Sequence, residues 1–81
     1  MNIENRVKDV VSQLFGIPVE DLTEDHDFEN DLSGDSIDMT ELIIETEEEF
    51  DIDISDADAK SVKTVGDMIK LIEKLAIKKE L

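Results

Sequence analysis

Residues 35–50 read DSIDMTELIIETEEEF, and this stretch decides the fold. Asp35 is a preferred helix N-cap, and Ser36 then stands first inside a helix running to about Phe50. Asp38 falls at the third position, where an acid favours the free amides of the first turn. At about 100° per residue, Met39, Leu42, Ile43, Thr46 and Phe50 share one side. That side is the core face. Ile37 and Ile44 project to nearly the opposite side, close to Glu41 and Glu48, with Thr40 and Glu47 toward the serine edge. Isoleucines among carboxylates could be covered by a folded-back loop, or be the ordinary apolar share of a surface. They could also anchor a basic, partly apolar groove of a partner, and the geometry favours this docking surface.

Upstream, Ile3, Val7, Val10, Val11 and Leu14 form the one-sided stripe of an amphipathic helix. Phe15-Gly16-Ile17-Pro18 ends it, with a glycine able to take the left-handed cap conformation and a proline that cannot continue the helix. From Ile17 to Asp35 no period holds, and Val19, Leu22, Phe28 and Leu32 read as isolated anchors pinning a long loop over the core. A loop of that length in a compact domain tends to be functional. Downstream, Ser55-Asp56-Ala57-Asp58 predicts a short capped turn of helix, and Thr64-Val65-Gly66-Asp67 repeats the capping logic. The last helix carries the stripe Val65, Met68, Ile69, Ile72, Leu75 and Ala76, with late lysines where the helix dipole favours them. Ile52 and Ile54 alternate with acids too briefly for a strand. The expected fold is all-α: a small four-helix bundle of three longer helices and one short third helix, with a long loop between the first two. Residues 1–81 read as a single domain.

Of the 81 residues, 23 are Asp or Glu and 8 are Lys or Arg, for a net charge of −15. Such a chain repels phosphate backbones and anionic membranes, which argues against nucleic-acid binding and points to basic partners. The charge is uneven, for residues 9–59 hold 19 acids and no Lys or Arg. No cysteine is present, which excludes disulfides and thiolate–metal sites and fits a reducing compartment. No run of about 20 apolar residues and no basic-then-apolar leader occurs, so neither a stable membrane insertion nor secretion is expected. These features suit a cytoplasmic monomer.

Catalytic readings fail on their own terms. Gly34-Asp35-Ser36-Ile37-Asp38 has one glycine of the G-x-S-x-G elbow but lacks the second. The single histidine, His26, lies between Asp25 and Asp27 as a surface residue, and nothing holds a base against Ser36. A calcium sensor is the better rival for a small acidic helical chain. An EF-hand loop begun at Asp25 would need glycine where Asn30 stands and glutamate at Ser36; one begun at Asp51 would place Asp56 at the glycine. Two acidic clusters, Glu47/Asp51/Asp53/Asp56 and Glu29/Asp31/Asp35/Asp38, leave weak divalent binding as a possibility of composition. Because Asp35 can cap the helix, the Ser36 hydroxyl is left pointing outward at the mouth of the loop. A helix start welcomes a phosphate through its free amides and dipole, although Asp35 and Asp38 oppose one there.

At Asp31-Leu32-Ser33-Gly34-Asp35-Ser36-Ile37-Asp38 the sequence resembles the prosthetic-group attachment site of an acyl carrier protein. The resemblance covers nearly the whole chain. Ile3-Glu4-Asn5-Arg6-Val7 opens like the family's first helix, and Phe28-Glu29-Asn30-Asp31-Leu32 is similar to its approach to the serine. Glu41-Leu42, Glu47-Glu48-Glu49-Phe50, Ile54, Asp56, Ala59 and Thr64-Val65 follow in the expected order. Asp-Ser-Ile alone is a weak signal; with the flanking runs it is a strong one.

The resemblance implies a carrier rather than an enzyme. A phosphopantetheinyl transferase, using coenzyme A and Mg²⁺, would attach 4′-phosphopantetheine to Ser36. Acyl groups would then be carried as thioesters on the arm's terminal thiol and delivered to fatty-acid or related biosynthetic enzymes. By the same resemblance Asp35, Ile37, Asp38, Thr40, Glu41, Ile44, Glu47 and Glu48 form the recognition helix that meets basic patches on synthases and transferases, and Asp56 on the short third helix assists. The chain departs from the family at Ser33-Gly34, where glycine then alanine or glycine is usual, adding a hydroxyl and a more mobile link. Ile37 replaces the usual leucine, and Thr40 and Thr46 stand where apolar residues are common. These departures bring in a specialised polyketide or aminoacyl (for example D-alanyl) carrier as an alternative. An acidic adaptor or weak calcium-binding protein is the alternative outside the class.

Overall fold

The computed structural model describes residues 2–80, with the side chains of 78–80 set aside. Helix α1 spans Ile3–Phe15 and α2 spans Ser36–Phe50; the short α3 covers Asp56–Ser61 and α4 covers Val65–Glu80. One feature of the long loop was not legible in its sequence, a single 3₁₀ turn at Val19–Asp21. Among the described residues there is no strand, only an isolated antiparallel bridge between Asp27 and Thr64. The predicted all-helical fold is thus the observed one, and α2 begins and ends where its caps place it. Lys78 and Lys79, expected at the favourable end of α4, have side chains outside the described residues.

The core is built from the stripes. Val7 and Val11 of α1, Leu42 of α2, and Val65, Met68, Ile69, Leu71 and Ile72 of α4 are buried, joined by Leu22 and Phe28 from the loop. Ile54 and Val62 close the two ends of α3. Burying an aliphatic or aromatic side chain of this size is worth about 1.5–3 kcal/mol each, which sets a small core against the repulsion of 15 surplus negative charges. Thr46 is fully buried, at a position where the resemblance implies an apolar residue, and its hydroxyl donates to the carbonyl of Leu42 at 2.7 Å. The polar interior expected at this position is therefore a satisfied one, without the roughly 1–3 kcal/mol penalty of an unpaired buried group.

The loop is not free. Phe28 stacks on Phe15 with centroids 5.8 Å apart. Its backbone runs beside the start of α4: the Phe28 N–H donates to the carbonyl of Lys63 at 2.9 Å, and those of Val65 and Gly66 donate to His26 and Glu24 at 3.0 and 2.9 Å. Helix starts leave their first amides without partners inside the helix. Here the loop supplies them, which is how the stretch from Ile17 to Asp35, without period, acquires one path. His26 takes part through its ring as well, Nδ1 accepting from the Thr23 N–H at 3.1 Å.

Asp67 completes the same junction. Its carboxylate accepts from the Lys63 and Thr64 N–H groups at 3.1 Å each, while its own N–H donates to Thr64 Oγ1 at 3.0 Å. The Lys63 amide, ahead of the opposing cost of burial, holds the Asp67 carboxyl below its ordinary 3.8. A lowered carboxyl contributes stability that is complete above the unfolded value and is lost as pH falls through the folded one. Asp67→Ala is expected to cost about 1 kcal/mol at neutral pH, the size of a lost helix cap. Urea unfolding of both proteins should show this gap narrowing as pH drops below 3.8. Because acidification also relieves the general repulsion, the difference between the two curves carries the result; a gap independent of pH would remove the charged cap.

Among the described residues, Arg6 is the early cation with a cross-helix role. Its guanidinium donates to Glu49 Oε2 at 2.9 and 3.1 Å and to the Glu49 carbonyl at 2.6 Å, and lies 4.4 Å from the centroid of the Phe50 ring. It thereby ties α1 to the carbonyl-rich end of α2, a role no helical period announces.

Candidate functional site

The site is assembled at the start of α2. Asp35 caps it as the sequence predicts: its side chain accepts from the Asp38 N–H at 2.9 Å, and Asp38 Oδ2 accepts from the Asp35 N–H at 3.1 Å. This reciprocal box spends both carboxylates on the backbone. Ser36 follows as the first helical residue and is exposed. Among the described residues its hydroxyl has no hydrogen-bond partner; only its carbonyl is engaged, accepting from Thr40 Oγ1 at 2.9 Å. A serine that neither caps nor packs is available for chemistry done to it by another protein.

The approach to Ser36 is rigidly held. Ser33 adopts the left-handed conformation with φ 56°, unusual for a side chain of this kind. Gly34, expected from its residue type to loosen the link, instead is buried and donates its N–H to the Phe28 carbonyl at 2.7 Å. A Cβ at this position would stand 2.9 Å from that carbonyl oxygen and 3.0 Å from the Phe15 ring. Glycine is required here by close approach, not by freedom. Gly34→Ala is expected to lower stability by about 1–3 kcal/mol, the usual cost of overpacking a tight contact. A urea midpoint matching the wild type would show that the Phe28 segment yields.

Beside Ser36 a cleft of about 440 Å³ opens between α2 and α3. Its walls are Met39, Ile43, Ala59 and Val62, with Thr40 and Lys60 as polar members. Across the exposed side of α2, Ile37 and Ile44 are 67% and 47% exposed, as two apolar residues on a face turned from the core should be. Glu41 and Glu48 lie exposed beside them, and Asp56 is exposed at the start of α3. Glu47 differs from its neighbours: its carboxylate accepts from the Ile54 N–H at 2.8 Å and fastens the segment leading to α3. Among the described residues, no group of three or more His, Asp or Glu is arranged to hold a metal ion, so the two acidic clusters do not converge as ligand sets.

Residues 5–72 match the family model for the phosphopantetheine attachment site. The chain belongs to the acyl carrier proteins. A structure assigned as an acyl carrier protein from Mycobacterium tuberculosis superposes with a TM-score of 0.83 at 32% identity, covering 90% of this chain and 97% of that one. The acyl carrier protein from Enterococcus faecalis gives a TM-score of 0.76 at 33% identity, over 90% of this chain and 92% of its own. A protein of this family is a carrier, not an enzyme, and its prosthetic group is covalently bound 4′-phosphopantetheine. Membership also implies dealings with a phosphopantetheinyl transferase and with acyl-processing enzymes in general. The residues here fit such a group: an exposed, unpartnered hydroxyl with an apolar-walled cleft alongside. No helix among the described residues is long and apolar enough to cross a membrane.

Proposed function

We propose that Ser36 is the attachment residue and that this cytoplasmic, single-domain carrier delivers acyl thioesters to fatty-acid or related biosynthetic enzymes. The observation that carries the reading is Ser36 itself, the exposed first residue of α2, relieved of capping by Asp35. The arm supplies the thiol that this cysteine-free chain lacks. Partner enzymes dock on Ile37, Thr40, Glu41, Ile44, Glu48 and Asp56, apolar anchors within an acidic rim. Asp35, Asp38 and Glu47 support that surface chiefly by shaping it, since their carboxylates are spent on backbone amides. Weak, salt-sensitive docking suits a carrier that must leave each enzyme it visits. Thr40 and Lys60 give the cleft a polar edge, which keeps a polyketide carrier as the second reading, whereas the Lys60 ammonium disfavours the cationic amine of an aminoacyl cargo.

The test is intact mass after incubation with coenzyme A, Mg²⁺ and a broad-specificity phosphopantetheinyl transferase. The expected result is the gain of one phosphopantetheine. No gain by folded protein beside an active control would return the chain to the acidic-adaptor reading.

A further inference from the structure

The cleft beside Ser36 contains one cation, Lys60, in the last turn of α3. Its other polar member besides Ser36, Thr40, has already committed its hydroxyl proton to the Ser36 carbonyl. A group entering the cleft therefore finds Lys60 as the side-chain donor available beyond Ser36. A neighbouring cleft of about 410 Å³ shares Met39, Lys60 and Val62 with the first and adds a second cation, Lys63. The acids of that neighbour are Asp27, whose Oδ1 accepts from the Glu29 and Asn30 amides at 2.9 Å, and Glu29. Among the described residues neither Lys60 nor Lys63 has an ion pair or a side-chain hydrogen bond. Lys70 and Lys74 of α4 are likewise without one, so what sets Lys60 apart is its place in the wall of the cleft beside Ser36.

Resting on the attachment of the arm at Ser36, we propose that Lys60 is a specificity-determining residue that favours acyl cargo bearing a free carboxylate over its uncharged isostere. The apolar walls accept methylenes, and a carboxylate carried in with them would lose water without a partner unless a cation stood at the rim. Lys60 is that cation, and Lys63 reinforces it from the adjoining cleft. Elsewhere on the exposed side of α2 a carboxylate meets Glu41 and Glu48. An uncharged chain gains nothing from the ammonium and meets the same apolar walls, Met39 and Val62 among them.

The experiment loads the chain with glutaryl-phosphopantetheine, ¹³C-labelled at the free carboxyl, or with its methyl ester, and verifies each form by intact mass. The labelled carboxyl should titrate about 0.2–0.7 of a pH unit lower on the wild type than on Lys60→Met, the size of an exposed ion pair. Lys74→Met removes the same charge from an exposed position on α4 and should leave the midpoint at its wild-type value. Equal displacement by both substitutions, or none by either, would overturn the proposal. So would a Lys60 Cε signal that moves when the bare arm is added and no further with glutaryl, since the anion read would then be the arm's phosphate. A chain that gains no mass fails the attachment reading, and the proposal falls with its premise. A loaded chain with an unmoved midpoint defeats the proposal alone.

Discussion

Ser36→Ala is expected to gain no mass under conditions where the wild type gains one phosphopantetheine, and to unfold within about 0.5 kcal/mol of it, the range of a surface substitution. Both halves follow from the division of labour at the helix start. Asp35 and Asp38 answer each other's amides, so deleting the Ser36 hydroxyl removes no capping bond. Alanine is also a strong helix former at an exposed helical position. The nearest competing hydroxyl in the sequence is Ser33, exposed three residues before the first residue of α2 in a left-handed conformation. Ser33→Ala should therefore load normally. Thr40 cannot substitute, because its hydroxyl already donates to the Ser36 carbonyl. Mass gain by Ser36→Ala would move the attachment point elsewhere, and a large loss of stability would mean that the serine has a structural duty the geometry does not reveal.

What the sequence disclosed and what it hid divide along one physical line. Features governed by period or by a local pair of residues were legible: the α2 cap at Asp35, the opposed exposure of Ile37 and Ile44, and the junction at Thr64 and Asp67. Features that depend on where distant segments meet were not. No spacing announces that Arg6 clasps Glu49 across two helices, that Glu47 holds the Ile54 amide, or that the loop supplies partners for the first amides of α4. Gly34 illustrates the difference. Its residue type suggested mobility, whereas its setting against the Phe28 carbonyl and the Phe15 ring makes it a close-packing position. The recognition face was legible as a surface, but which of its acids are free to meet a partner required the hydrogen bonds.

That distinction sets up the second large effect. The double substitution Glu41→Lys/Glu48→Lys is expected to lower kcat/KM for loading by the transferase about 10–100-fold at low salt. Two exposed pairs at about 0.2–1 kcal/mol each are lost, and like charges then face the partner's basic patch. Each 1.36 kcal/mol is tenfold in rate. Both residues are exposed on α2 beside Ile37 and Ile44, and neither carboxylate is used by the fold. Replacing Glu47 would confuse the result, since it would also release Ile54. The deficit should shrink at about 0.5 M salt, where screening acts over less than the 8 Å of physiological strength. Stability should hold or rise, because the change takes the net charge from −15 toward neutrality. A charge-matched control, Asp9→Lys/Glu20→Lys, alters exposed residues away from α2 and should retain most of the loading rate. If the control loses as much, the transferase senses the total charge of the carrier, and the acidic rim around Ile37 and Ile44 has no privileged part in recognition.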